Sequence, residues 1–216
     1  MRADLLIGGT LGGWALERAD PADVAQVVTG DDALAAAAAD LGLPVRRSHD
    51  YTPAARGLSV HYQRIVPRSL IDAYDGLWNL HPGLLPWGRG MYPVFWALWE
   101  NTPAGATLHE LVEALDAGPV VASTEVEVRP DDTGGSLHAR VQAAEKTLFD
   151  THWPRIVAGD DLPSSPQAAT GGTFHTLSEF QALKQDDRRT LAPDRLAHLE
   201  RCLQFPGYAA LGALLK

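Results

Sequence analysis

The chain has 216 residues, 45% of them hydrophobic, and a formal net charge of −9. This length is enough to bury a real core and suits one domain with a small appendage. An acidic surface repels phosphate backbones, which argues against nucleic acid as a main partner, and no apolar run approaches the ~18–20 residues needed to cross a bilayer.

Taken in chain order, DLLIGG (4–9) is a short apolar run ended by glycines, as in a buried first strand. GGWALERA opens a helix, VAQVVTG (24–30) is a second strand, and DDALAAAAADLG (31–42) is a helix with Asp in its first turn and Gly past its end. LPVRR is a brief third strand, and GLSVHYQRIVP (57–67) a fourth that runs into a loop. PRSLIDAYDG forms a short helical turn, and LWNLHP (77–82) a fifth strand that Pro82 stops. YPVFWALWENT (92–102) is a helix with Pro in its first turn and an aromatic face. AGATLHEL and GPVVASTEVEV are two more strands, followed by a long amphipathic helix capped near Thr133 or Ser136.

Strands alternating with helices define an α/β fold with a mostly parallel open sheet and helices on both faces. Three segments are expected: a main domain over 1–159, a Pro/Ser/Gly-rich linker over 160–172, and a short extension over 173–216. The extension holds TFHTLSEFQ, the charged run KQDDRRT and a helix around DRLAHLERCLQF, and is expected to pack on the main body or on a partner subunit. A single cysteine, Cys202, rules out an intrachain disulfide and fits a reducing compartment. The N-terminal stretch lacks the longer apolar region of a signal peptide, so a cytoplasmic protein is expected.

Several chemistries fit poorly. The glycines of GGTLGG fall at 8, 9, 12 and 13, the wrong spacing for a dinucleotide fingerprint. The eight histidines are scattered without ligand spacing, so no metal is expected. There is no G-x-S-x-G elbow. The loop-rich stretch NLHPGLLPWGRGMYPVFW (79–96) is different. Residues two apart in a strand share a face, so Asn79 and His81 project together at a strand end, where open α/β sheets build their sites. A carboxamide N–H can steady an oxyanion, and an imidazole can move a proton. Asp116, between small neighbours in EALDAGPVV, is the candidate carboxylate to orient the imidazole and steady its cation.

The order Asn-x-His-Pro-x-Leu-Leu-Pro, an Arg-Gly loop, then TPAGATLHELVEALDAGPVV resembles the folate-dependent formyltransferases. That family reads N-x-H-x-S-L-L-P, G-V-T-x-H and D-x-G-x-I over the matching stretch, here about Gly57 to Thr151. The shorter members that formylate amino sugars are most similar, sharing the RG-x-x-P-x-x-W loop, the ENTPAG turn, and the tail elements GGTFHTLSEF and LQFPGY. The resemblance implies a Rossmann-like formyltransferase fold, with Asn79, His81 and Asp116 as the catalytic trio. The formyl donor would be 10-formyltetrahydrofolate, bound by Tyr62, Gln63, Arg64, Ile65 and Val66 and by Val112, Glu113, Ala114, Leu115 and Asp116. The acceptor would be a small-molecule primary amine, most simply a nucleotide-linked amino sugar, against Trp87, Arg89, Gly90, Met91 and Tyr92. A cis peptide at Leu85–Pro86 and a homodimer are further expectations. The chain departs from the family pattern at Gly83, where Ser is common, at Trp87, at Ala117, and in the double glycines after its first strand. None of these removes a catalytic group.

Competing readings are a glycinamide ribonucleotide formyltransferase, an enzyme formylating carrier-bound amino acids, and a folate-binding protein without turnover. The initiator-tRNA enzymes share the core but carry a basic C-terminal domain, which an acidic chain with a short tail does not offer.

Overall fold

Leu5, Leu6 and Ile7 are fully buried, as a strand covered on both faces requires. They belong to β1 (Ala3–Ile7), which pairs in parallel with β2 (Val24–Val28) on one side and β4 (Arg56–Val60) on the other. β2 carries the short β3 (Val45–Arg46), and β4 pairs in parallel with β5 (Gly76–His81). β7 (Ala104–Glu110) then runs antiparallel to β5, and β8 (Val120–Val126) completes a seven-stranded sheet of order β3-β2-β1-β4-β5-β7-β8. The sheet is mostly parallel, as the βα alternation predicts. The computed structural model describes residues 1–185 and 191–205; the DDRRT part of the charged run and everything from Pro206 on, most of LQFPGY included, lie outside the described residues.

The chain divides into two compact units: Met1–His81, Thr107–Ala122 and Glu145–Gln167 form the first, and Pro82–Ala106, Ser123–Ala144 and Ala168–Lys216 the second. In the first unit, α1 (Gly9–Arg18) begins two residues after β1, so most of the glycine cluster lies within a helix. Gly9 holds a left-handed φ of 59°, and Gly8 and Gly12 serve close packing. A side chain on Gly8 would come within 2.4 Å of the His61 carbonyl oxygen. α2 (Asp32–Asp40) is capped by Asp31, whose carboxylate accepts from the N–H groups of Ala33 and Leu34. α3 (Arg68–Ile71) is the expected short turn. The fourth strand ends at Val60, one residue before His61, which adopts a left-handed φ of 52°.

In the second unit, α4 (Pro93–Glu100) is buried from Pro93 through Trp99. An amphipathic helix with one aromatic face was expected; this helix is covered all round, because its partners come from several later segments. Phe95 and the two tryptophans pack with Leu137 and Val141 of α5 (Gly134–Ala158), Phe180 of α6 (Leu177–Gln185), and Leu199 and Cys202 of α7 (Pro193–Cys202). The Arg195 guanidinium sits 3.5 Å over the Trp99 ring. Two elements escaped the sequence reading: β6 (Arg89–Gly90) and β9 (Phe174–His175), paired in parallel. Two-residue strands are too short to show a period of two. The Leu85–Pro86 peptide is cis.

Candidate active site

β5 delivers two polar side chains to one face. Asn79 and His81 project together, while the buried Trp78 and Leu80 alternate with them on the opposite face. β7 lies beside β5 with Asn79 opposite His109 and His81 opposite Thr107. Directly opposed residues share a face, so His109 joins the pair from 30 positions away.

The bonds of His109 fix its tautomer. Its Nδ1 lies 2.8 Å from the Glu110 carbonyl oxygen. A carbonyl only accepts, so Nδ1 carries the proton and Nε2 is left as acceptor. Asn79 Nδ2 donates to that Nε2 at 3.1 Å. This sets the orientation of the carboxamide and leaves its second N–H for another oxygen. Burial pushes His109 down to about 4 and the neighbouring His81 pushes the same way, against the opposing pull of Asp116 and the Glu110 carbonyl. His109 is therefore a neutral imidazole at neutral pH, and its role is to hold Asn79.

Asp116 arrives from the loop after β7. The Ala117 N–H donates to the Ala114 carbonyl at 3.2 Å, closing a turn. Asp116 itself has φ 52°, the left-handed region that Asp tolerates better than most residues. A side chain at Gly118 would lie 1.8 Å from the Glu110 carbonyl oxygen, so the turn is pressed onto the end of β7 and admits only glycine there. The result places Asp116 Oδ1 3.6 Å from His81 Nδ1 and 3.7 Å from His109 Nε2. Both distances are slightly longer than a direct hydrogen bond. They keep a negative charge beside both rings in a nearly water-free setting, since the three side chains are 9% exposed or less. The arrangement offers an N–H donor, a proton carrier and a carboxylate to steady the carrier's cation.

His109 is the candidate site residue that sequence reasoning left out. Its signal lay in the G-A-T-L-H run of β7, but its partnership with Asn79 depends on strand register, which the sequence does not display. The depressed His109 value has a measurable consequence. The unfolded chain takes up this proton near the ordinary 6.5, whereas the folded chain resists it until about 4. Stability should therefore fall as pH drops through that window, by on the order of 2 kcal/mol from this group alone. Urea unfolding at pH 7 and pH 4.5 checks it: the drop should be smaller in His109→Gln than in the parent, and an equal drop would contradict the assignment.

The two expected donor segments lie in the same unit as the trio. Tyr62, Val66 and Leu111 pack against one apolar cluster with Leu70 and Tyr74. Arg68 bridges to Glu113 at 3.3 Å. Tyr62 bonds His49 through its hydroxyl at 3.0 Å, and Arg64 donates to the Arg47 carbonyl at 2.8 Å. Ile65 is 82% exposed and Leu115 50%, large apolar side chains left facing outward. Trp87, Arg89, Gly90, Met91 and Tyr92 belong to the second unit. There Arg89 and Gly90 form β6, and Met91 N–H donates to the His175 carbonyl at 2.8 Å. Tyr92 has φ 58° and caps α4, its ring centroid 4.4 Å from that of Phe180. Among the described residues, no group of three or more His, Cys, Asp or Glu could hold a metal ion, and no helix is long and apolar enough to cross a membrane.

Residues 48–152, the stretch that carries all four site residues, match the sequence model of the formyl transferase family. The dTDP-4-amino-4,6-dideoxyglucose formyltransferase of Mycobacterium tuberculosis is 33% identical over 130 residues, 60% of this chain and 54% of the relative. The chain thus spans about half the length of the curated relatives it matches. The fold is that of the N-formyltransferase from Helicobacter canadensis, solved in complex with folinic acid and dTDP-3-aminofucose: the TM-score is 0.80 at 18% identity, covering 96% of this chain and 82% of that one. Phosphoribosylglycinamide formyltransferase from Anaplasma phagocytophilum gives a TM-score of 0.63 at 25% identity, over 81% of this chain and 98% of that one.

Proposed function

We propose that this chain is an N-formyltransferase that moves a formyl group from 10-formyltetrahydrofolate to the primary amine of a nucleotide-linked amino sugar. The observation that carries the reading is the cluster of Asn79, His81, His109 and Asp116 on one face at the β5 end. The named activity of the mycobacterial relative supports the amino-sugar acceptor. The outward Ile65 and Leu115 suit the flat apolar ring of a folate donor. Trp87, Arg89, Gly90, Met91 and Tyr92 are assigned to the acceptor, a reading supported by the 40% exposure of Met91.

In the proposed mechanism the acceptor nitrogen attacks the formyl carbon, forming a C–N bond and turning the carbonyl oxygen into an oxyanion. The second N–H of Asn79 and the ring of His81 donate to that oxygen. Collapse re-forms the carbonyl and breaks the bond from carbon to N10 of the folate. The proton released by the attacking nitrogen ends on N10, with His81 as carrier and Asp116 steadying the imidazolium. The same proposal has the enzyme act in the cytoplasm as a homodimer. The exposed Phe174 and Leu177 support an interface, and light scattering of the purified chain tests it.

The activity test follows tetrahydrofolate absorbance after mixing the protein, 10-formyltetrahydrofolate and single amines. Release with a nucleotide-linked amino sugar supports the proposal. Release only with glycinamide ribonucleotide moves the acceptor, and donor binding without release for every amine defeats it.

A further inference from the structure

The segment that follows α5 is tied to the turn that bears Asp116. Ser165 and Val120 exchange two backbone hydrogen bonds, at 2.7 and 2.9 Å. The Ser164 hydroxyl donates to Glu110 Oε1 at 2.5 Å. Three residues on, Gln167 Nε2 donates to the Asp116 carbonyl at 2.8 Å and to the Gly118 carbonyl at 2.9 Å. Both partners are carbonyl oxygens, so a flipped amide would set oxygen against oxygen. The orientation is fixed with Nε2 inward, while Oε1 is buried without a hydrogen-bond partner.

These two bonds bracket a strained point. Asp116 holds φ 52°, a sparsely populated conformation that persists only where surrounding contacts enforce it. Gly118 anchors one side of the turn against Glu110. Gln167 closes the other side by gripping the carbonyl of Asp116 itself. The Cα–Cβ direction of Asp116 is set by its backbone, so the turn fixes where its side chain starts.

We infer that Gln167 is a positioning residue for formyl transfer: its carboxamide clamps the Asp116–Gly118 turn and so aims the Asp116 carboxylate at His81 and His109. The inference rests on reading Asp116 as the catalytic carboxylate. Gln167 touches the main chain of the turn and acts through Asp116.

The test uses Gln167→Met, which keeps the length of the side chain and removes both donors. In the full chain kcat should fall ~10–100-fold, the size of a sub-ångström to ångström misplacement of a reacting group. KM for donor and amine should stay within about threefold, because no binding contact is removed. In an Asp116→Asn background the same change should cost less than about threefold further, because the clamp has no carboxylate left to aim. A second arm needs no turnover: in histidine ring carbon–proton NMR spectra, the His81 and His109 signals should move while those of His138 and His198 stay. A folded Gln167→Met with unchanged kcat, losses that multiply in the double variant, or unmoved His81 and His109 signals would each overturn the clamp. If the parent chain transfers no formyl group to any amine, the proposed activity fails and the NMR arm alone decides the clamp. If Gln167→Met does not fold, Gln167→Glu, which also lacks both donors, takes its place.

Discussion

Changing Asp116 to Asn or His81 to Ala should lower turnover by ~10²–10⁴, with the fold intact. The reason differs for the two. His81 is the proposed proton carrier of the cluster, since His109 is neutral and held by the Glu110 carbonyl. Without its ring, the proton leaving the attacking nitrogen has no carrier. Asp116 supplies the charge that makes an imidazolium at His81 tolerable in a nearly dry pocket, 3.6 Å away. Asn keeps the shape of the side chain, and its tolerance of a left-handed φ, but removes the charge. Steady-state kinetics on both variants check this, with circular dichroism to confirm folding. Near-parental turnover in either one would sink the assignment.

Asn79→Ala is the second large effect, at ~10²–10³ in kcat with little change in KM for the donor. The carboxamide is oriented before any substrate arrives, because one N–H is bonded to His109 Nε2 at 3.1 Å. Its other N–H is therefore placed without reorganisation, the condition under which an oxyanion donor contributes most. Alanine removes the donor and strips His109 Nε2 of its partner. A His109→Gln variant separates the two contributions: it keeps Asn79 but weakens its support, so its loss in kcat should be the smaller. A loss confined to KM would mean that Asn79 binds ground state and transition state alike.

The parts of this site that lie close together in the chain could be read from the chain. Asn79 and His81 are two apart on a strand, and a period of two is enough to place them side by side. Pro82 marks where that strand stops. Asp116 was legible from its small neighbours and from the formyltransferase pattern around it. His109 was in plain view as a strand residue, yet its role depends on the antiparallel register that sets it opposite Asn79. Register between β5 and β7 is decided by packing across a long insertion that includes a whole helix. The same limit hid β6 and β9, whose pairing joins Arg89 to Phe174 and leaves no periodicity in two residues. α4 showed its aromatic residues but not the number of segments that converge on them. Residues 160–172 read as a linker by composition, because backbone pairing such as Ser165 with Val120 imposes no side-chain pattern. The glycines after β1 invited a nucleotide reading. Gly8 is instead needed because the His61 carbonyl leaves no room for a side chain, Gly9 because it holds φ 59°, and Gly12 because it packs on Ile7.

The central claim is that this one cluster moves a formyl group from a folate to an amine. The most direct measurement follows the carbon itself, using 10-formyltetrahydrofolate labelled with carbon-13 in the formyl group and a nucleotide-linked amino sugar as acceptor. The account predicts that a new formamide carbon signal grows in the sugar as the donor signal falls, and that Asp116→Asn slows both together. A donor signal that persists with every amino sugar, or a label that passes to the acceptor as fast with Asp116→Asn as with the parent chain, would contradict it.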